Sequence, residues 1–314
     1  MDLQMLRRRA EIIRQARSFF DSKGYLETDT PLLAPDLIPE SCLEVFETQR
    51  ILPGNSAPPQ ALYLIPSPEI RMKKLISQHR VNIYQICKCF RNGESSGHLH
   101  SPEFTMLEYY TMGAGYMDSL ALTEELFSFL NPAGGKFKRI TVAEAFARWA
   151  GFDLFEAAEK TGGLEAQARR LGLDPMPGLD IPALSDLIFI HAVEPQLRNE
   201  GLAALIDYPA FVPCLAKKNN RTAERWELYA AGIELANCFS EEANPAAVRL
   251  FFETETAAKE KSALIRHKVD HNYWKIFQEK DGQCFPRCSG VAMGLDRLIM
   301  YLCGKSSIDA VLPF

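Results

Sequence analysis

Three strings in this sequence combine arginine, carboxylate and small residues at spacings suited to a charged ligand. The first runs Phe90-Arg91-Asn92-Gly93-Glu94 and resumes at His100-Ser101-Pro102-Glu103-Phe104-Thr105-Met106-Leu107-Glu108-Tyr109-Tyr110. An arginine where a strand enters a loop can offer its planar fork to two phosphate oxygens, and Phe104 offers a flat face for a purine. Taken singly each is ordinary, since an arginine at a strand end is most often a solvated charge; the string is more specific than its parts. The second runs Glu224-Arg225-Trp226-Glu227-Leu228-Tyr229, then Gly232-Ile233-Glu234-Leu235-Ala236-Asn237-Cys238-Phe239-Ser240-Glu241. Glu227, Glu234 and Glu241 recur every seven residues, which on a helix would be one exposed stripe. Gly232, Ile233 and the aromatics favour strands instead, and a carboxylate on a half-buried strand is unfavourable unless it meets a cation. Mg2+ with nucleotide phosphates, or a substrate ammonium, would supply one. The third is Ser289-Gly290-Val291-Ala292-Met293-Gly294-Leu295-Asp296-Arg297-Leu298. Its small residues let the backbone approach a ligand closely, and Arg297, near a helix start, can reach outlying phosphates with the helix dipole behind it. On its own such a glycine-bounded run mostly means tight packing.

The elements that must position these strings can be read from periodicity. Residues 3–20 place Leu3, Leu6, Ala10, Ile13, Ala16, Phe19 and Phe20 at helical spacing, with Gly24 closing the helix. Tyr25 to Leu33 reads as a strand broken at Pro31, Ala61 to Ile65 as a short strand, and Ser67-Pro68 as the cap and first position of a helix. Residues 81–90 and 103–112 read as strands flanking a polar connection at 91–102. From Thr141 to Gly201 the pattern is mainly helical, with Gly and Pro breaks. Strand character returns at 203–209 and 226–239, residues 244–280 read as helical and highly charged, and Gly290 to Gly294 runs into a helix from Asp296 to Leu302. Strands, then helices, then strands is not a regular βαβ alternation, which argues against a doubly wound parallel sheet. No G-x-x-x-x-G-K-[ST] loop is present, so a nucleotide would have to be held by arginines and metal.

The chain has 314 residues, 47% hydrophobic and 24% charged, enough for a large core in a soluble globular protein. No run approaches the length that crosses a bilayer. Arg7, Arg8, Arg9, Arg14 and Arg17 give the start a presequence-like look, but Asp2 and Glu11 interrupt it and the first helix of the fold is the better reading. A net charge of −5 argues against a grip on a long nucleic acid, the run Arg71 to Lys74 being a local exception. Eight cysteines without a signal peptide point to reduced thiols in a cytoplasm. Cys284 and Cys288, with His267 and His271, lack the spacing of a standard zinc finger, so core or surface thiols are favoured.

Together the three strings resemble motifs 2 and 3 of class II aminoacyl-tRNA synthetases with the acidic strand between them, and Gly24 to Pro31 resembles motif 1, the dimer-forming segment. Ser67-Pro68-Glu69, Pro102-Glu103-Phe104-Thr105 and the Glu-x-x-Asn-x-x-x-Glu spacing at 234, 237 and 241 are similar to the lysyl subgroup. The resemblance runs from residue 5 to the end. It implies an α+β fold, the class II catalytic fold, with an antiparallel sheet flanked by helices. It also implies a single catalytic domain over 1–314 and a helical insertion at about 141–201. The first helix leads straight into motif 1, leaving no N-terminal anticodon-binding OB-fold. Where lysyl-tRNA synthetases carry a glycine run, this chain has Gly290-Val291-Ala292-Met293-Gly294. The alanine resembles the elongation factor P–lysine ligase family, in which it reshapes the pocket toward (R)-β-lysine.

The resemblance implies an ATP-dependent, AMP-forming ligase that activates (R)-β-lysine or lysine and passes it to a lysine of elongation factor P. It implies a cytoplasmic homodimer that uses no tRNA and no membrane. Carried over residue by residue, Arg91 and Arg297 are the catalytic arginines. ATP would be held by Arg91, Asn92, Gly93, Glu94, His100, Ser101, Phe104, Glu234, Leu235, Gly294 and Arg297, with Phe104 and Arg297 sandwiching the adenine. Mg2+ would sit on Glu227 and Glu234. The diamino acid would meet Ser67, Pro68, Glu69, Glu108, Tyr110, Asn237, Glu241 and Ala292. Two positions depart from the pattern: Gly93 intervenes between Asn92 and Glu94, lengthening the loop by one residue, and Ser101 stands where Asn is common. The competing readings are an amino-acid–AMP ligase for a small molecule, a lysyl-tRNA synthetase fragment that charges RNA, and a catalytically silent binding module.

Overall fold

The structure is a computed structural model that describes residues 2–55, 58–94, 97–132 and 134–313. The chain begins with helix α1 (Leu3–Ser22), followed by strands β1 (Leu26–Glu27), β2 (Leu33–Ala34), β3 (Phe46–Arg50) and β4 (Gln60–Leu64). Helix α2 (Glu69–His79) leads to β5 (Ile83–Phe90), β6 (Glu103–Met112), α3 (Tyr116–Leu130) and β7 (Lys138–Thr141). Five short helices come next: α4 (Val142–Ala145), α5 (Leu154–Glu159), α6 (Gly163–Arg170), α7 (Ile181–Ile188) and α8 (Glu194–Leu197). The chain then forms β8 (Leu202–Pro209), β9 (Thr222–Ala230), β10 (Ile233–Ser240), α9 (Pro245–Ser262), β11 (Cys288–Gly294) and α10 (Leu295–Leu302). It divides into two compact units, Met1–Gly113 with Glu242–Phe314, and Ala114–Glu241. Among the described residues no helix is long and apolar enough to cross a membrane.

In the first unit, β6 pairs antiparallel with both β5 and β11, and β1 adds to β5 in parallel. Helix α1 buries Met5, Ile12, Ala16, Phe19 and Phe20, and Phe20 stacks on Tyr84 of β5 at 4.9 Å. The buried stripe is rotated from the expected one. Leu3 and Leu6 are exposed and Ile12, not Ile13, is in the core, because Arg9 turns inward to an ion pair with Asp296. A second small sheet, β2-β4-β3, is packed around Leu37, Val45, Tyr63 and Ile65.

In the second unit, β8 pairs antiparallel with β9 and β9 with β10, while β7 joins β8 in parallel. The expected helical stretch is present as α4 to α8. Their apolar faces (Val142, Phe146, Leu154, Leu164, Leu184, Ile188) close over Leu205, Tyr208 and Tyr229 of the strands.

Several boundaries moved, each for a local reason. The strand expected from Tyr25 to Leu33 survives only as β1 and β2, because the Gln85 side chain takes the Thr30 N–H and Pro31 has no donor. Helix α2 starts at Glu69, one position later than expected. Pro68 is the non-helical cap (φ −79°, ψ 1°) and the Ser67 hydroxyl accepts the Glu69 N–H at 3.3 Å. The stretch 226–239 is a hairpin, turned at Ala231 and Gly232, both at positive φ as a tight two-residue turn requires. The helix expected over 244–280 ends at Ser262, because the Glu44 carboxylate takes the N–H groups of Leu264 and Ile265. Of the two loop stretches read from the sequence, Ser56, Ala57, Ser95 and Ser96 lie outside the described residues.

Candidate active site

The floor of the candidate site in the first unit is one face of β5-β6-β11. Register places Gln85, Glu108 and Ala292 side by side across the three strands, with Cys87, Met106 and Gly294 in the next row and Cys89 and Phe104 beyond. Side chains two apart on a strand share a face, so Phe104, Glu108 and Tyr110 line one surface. Glu108 is 2% exposed. One of its oxygens accepts the Tyr110 hydroxyl at 2.7 Å, and the other is buried with no hydrogen-bond partner. Burial and the nearby Glu69 carboxylate hold its pKa well above the usual range, against the opposing pull of Tyr110 and Lys73. A buried carboxylate with an open oxygen is a receptor for a cation.

Two residues of this floor were not read from the sequence. Lys73 is fully buried and pairs with Glu69 one helical turn away, at 2.5 Å. It therefore faces inward and adds nothing to the surface charge of the run, whose Arg71 and Lys74 are part-exposed; the four-residue spacing from Glu69 was the available signal. Gln85 is 1% exposed. Its oxygen accepts the Thr30 N–H at 3.1 Å, which fixes the amide orientation, and its buried nitrogen has no partner.

At the end of β5 the guanidinium of Arg91 lies over the Phe104 ring, 5.3 Å from its centroid, and its Nε is buried without a partner. The backbone N–H of Arg91 bonds Pro102, next to Ser101, at 3.0 Å. Asn92 is a loop anchor: its backbone pairs with Glu44 and its amide donates to the Val45 carbonyl. Gly93 then adopts φ +67°, a conformation that favours glycine. With that extra turn Glu94 still reaches the site and meets His100 Nδ1 at 2.9 Å. Arg297 lies 3.3 Å from both ring nitrogens of His100 and donates to the Leu99 carbonyl at 3.1 Å. The inserted residue thus leaves Glu94, His100 and Arg297 in one chain of contacts. Asp296 sets where Arg297 stands: its carboxylate takes the Thr105 N–H at 2.6 Å and pairs with Arg9 at 2.6 Å.

A strap formed by residues 35–45 runs along the same region. Lys259 of α9 donates to the carbonyls of Glu40 and Leu43, and Glu255 accepts both the N–H and the hydroxyl of Ser41. The Glu40 carboxylate interacts with Glu69, Arg91, Lys259 and Glu255. Burial first, then Glu69, raise its pKa to about 7, opposed by Arg91 and Lys259. Glu40 was not singled out beforehand, since nothing local marks a loop carboxylate as facing inward.

In the second unit, Arg225, Glu227 and Tyr229 share one face of β9, with Glu234 and Asn237 across from Tyr229 and Glu227 on β10. Glu227 is held by three donors: Tyr208 at 2.6 Å, Tyr229 at 2.8 Å and Arg225 at 2.5 Å. Burial and the Glu227 charge push both tyrosine pKa values well up. A carboxylate has about four acceptor directions, so Glu227 keeps room for one further ligand. Leu235 falls in a β-bulge between Glu234 and Ala236, where a backbone group leaves the ladder. Glu241 is buried and bridges to Ala216. Among the described residues no cluster of three or more ligating side chains could hold a metal by itself. A hard cation that keeps most of its ligands from phosphate and water needs only one or two carboxylates, and Glu227 with Glu234 fits that use.

The family model for tRNA synthetases class II (D, K and N) matches residues 2–314. The elongation factor P–(R)-β-lysine ligase of Vibrio cholerae is 36% identical over 319 residues, 99% of this chain and 95% of that protein. The proteins of the same name from Photobacterium profundum (36%, 99% and 95% covered) and Proteus mirabilis (33%, 98% and 94% covered) are similar along their whole length too.

Proposed function

The chain belongs to the class II tRNA synthetase family and is a ligase of that type, and from that premise we propose that it activates (R)-β-lysine with ATP and transfers it to a lysine of elongation factor P. The observation that carries the amino-acid part is Glu108, buried in the floor with one open oxygen and standing beside Ala292. An ammonium at that oxygen satisfies a carboxylate that is otherwise desolvated for nothing, and a neutral side chain there would leave it unpaired. Such sites discriminate by about 10⁴ or more. Within the first unit Glu69 and Tyr110 are the further groups for a substrate ammonium; Asn237 and Glu241 of the second unit enter only as the resemblance implies. Ser67 and Pro68 shape the approach to Glu69.

The first step forms a bond between a substrate carboxylate oxygen and the α-phosphorus of ATP and releases pyrophosphate. Arg91, mounted on the Phe104 ring, offsets charge on that phosphate, and Arg297 with His100 and Glu94 holds the nucleotide; positioning and electrostatics dominate such transfers. Ser101 and Gly294 of the first unit, and separately Leu235 of the second, are further nucleotide contacts that the resemblance implies. Mg2+, when bound, supplies charge neutralisation at the phosphates, and Glu227 and Glu234 are the residues that would hold it. In the second step an amine of the partner protein attacks the acyl carbon and AMP leaves. The relatives' names and the whole-length similarity support this choice of partner and amino acid.

The test is ATP–pyrophosphate exchange with a panel of amino acids that includes both lysine isomers, followed by mass spectrometry of elongation factor P. Exchange is expected to be fastest with (R)-β-lysine, and the factor to gain one lysyl increment. Exchange without any gain in mass would sink the protein-transfer reading and point to a small-molecule acceptor.

A further inference from the structure

The floor of the first unit also carries two nucleophiles that the proposed chemistry does not use. We propose that Cys87 and Cys89 are a modification site, a dithiol that peroxide oxidises to an intrastrand disulfide that disables the nucleotide side of the floor. Register puts Cys87 across from Met106 and Cys89 across from Phe104. The two cysteines are two apart on β5, so their side chains project to one face, the face that carries Glu108. Both are free thiols, and their sulfurs stand 3.8 Å apart. A covalent S–S bond of about 2.05 Å needs a closing movement of about 2 Å.

The two sulfurs differ as an attacking and a resolving thiol do. Cys87 is half-buried, whereas Cys89 is fully buried. The hydrogen bond they share holds the Cys87 thiol below its usual pKa, against burial. The same bond, with burial, pushes Cys89 well above its own. Thiolate is the reactive form, so Cys87 is the sulfur that a small oxidant meets and Cys89 the neighbour that captures the product.

In the first half of the reaction the Cys87 thiolate attacks one oxygen of hydrogen peroxide. The O–O bond breaks, Cys87 becomes a sulfenic acid, and the departing hydroxide takes the proton that the thiol gave up, forming water. In the second half the Cys89 sulfur attacks the Cys87 sulfur. The S–O bond breaks, and the hydroxyl leaves with the Cys89 proton as a second water. Two thiols lose two electrons and one peroxide gains them.

The bond acts on the site through the strand. Residues two apart on an extended strand have Cα atoms about 6.4–6.8 Å apart, at the upper end of what a disulfide spans. Joining them therefore bends β5 around Lys88. Cys89 is the ladder partner of Phe104, and the Phe104 ring carries the Arg91 guanidinium, 5.3 Å from its centroid. Arg91 stands one residue beyond the end of β5 at Phe90. A misplacement of about 1 Å costs about 10²-fold in rate, so the oxidised chain loses the use of Arg91 and a thiol reductant restores it.

The test exposes the full chain to hydrogen peroxide, alkylates the remaining thiols with iodoacetamide before unfolding, and maps tryptic peptides by mass spectrometry. Trypsin cuts after Arg80, Lys88 and Arg91, so the two cysteines part into peptides 81–88 and 89–91. Oxidised wild type is expected to yield these two as one disulfide-linked species that separates on reduction. Cys89→Ser should stop at a Cys87 sulfenic acid, trapped by dimedone, and Cys87→Ser should leave Cys89 open to alkylation. Pyrophosphate exchange by wild type should fall about 100-fold on oxidation and recover with dithiothreitol. Cys87→Ser, referred to its own reduced rate, should lose no more than a few fold. The peptide map needs no turnover, so it decides the site even if the substrate assignment fails. Absence of the linked pair, an equal loss of exchange in oxidised Cys87→Ser, or a linked pair with undiminished exchange would each overturn the proposal.

Discussion

A single methyl group and a single carboxylate decide most about what the floor of the first unit can accept. Ala292 lies directly across the ladder from Glu108, so its Cβ takes up space next to the open oxygen where an ammonium would sit. Removing it enlarges the floor at that spot without touching a charge. Ala292→Gly is therefore expected to shift preference from (R)-β-lysine toward α-lysine. One methylene in a pocket is worth about 1–3 kcal/mol, or roughly 10–200-fold. The ratio of the two kcat/KM values in pyrophosphate exchange measures it, and an unchanged ratio would remove Ala292 from the pocket. Both residues were legible as parts of motifs. Gln85 was not, because a buried amide only reveals its open donor once the Thr30 N–H is known to occupy its oxygen.

Among the elements, α1 does more than cover the sheet. Arg9 crosses into the core to meet Asp296 at 2.6 Å, the Thr105 hydroxyl at 2.9 Å and the Val311 carbonyl at 3.2 Å. Asp296 precedes Arg297 and Thr105 follows Phe104, so this one guanidinium fixes the spacing between the residues read as the two faces of a nucleotide site. Arg9→Met should lower stability by about 3–5 kcal/mol, the range for breaking a buried pair and stranding its partner. It should also raise the KM for ATP more than that for the amino acid. Denaturation and exchange kinetics check the two parts, and a purely structural role would leave the KM ratio unmoved. The sequence marked α1 as a helix through its period but left Arg9 out of the buried stripe, since an apolar periodicity does not count an arginine whatever it pairs with. Strands β5, β6 and β10 were legible because β-branched and aromatic residues fall in their short runs, and β11 because glycines bound its run. The 263–280 segment was not, because its backbone is bound by Glu44, 220 residues away and invisible to any local pattern.

At the scale of the whole molecule, the net charge of −5 understates how the acid groups are used. Glu108 and Glu40 are held at raised pKa values by burial and by Glu69. A carboxylate raised in the folded state opposes folding progressively as pH climbs from the unfolded value to the folded one. The ligand-free protein therefore carries a strain that a diamine relieves. The same linkage fixes the sign of a binding measurement. Burial and Glu69 favour the protonated form of Glu108 in the empty site, and a protonated Glu108 must give up its proton to meet an ammonium. Binding of a non-hydrolysable β-lysyl sulfamoyl adenylate should release protons below the folded pKa of Glu108, and its affinity should rise with pH up to that pKa and level off above it. Titration calorimetry in phosphate and in Tris separates the proton contribution. Wild type is expected to release more protons than Glu108→Gln, by at most the roughly one proton that a single carboxylate can supply. That difference isolates the carboxylate from the ligand's own ammonium groups, which titrate identically against both proteins. A buffer dependence shared equally by wild type and variant would mean that Glu108 does not receive the ammonium, and the selectivity proposed for the floor would lose its physical basis.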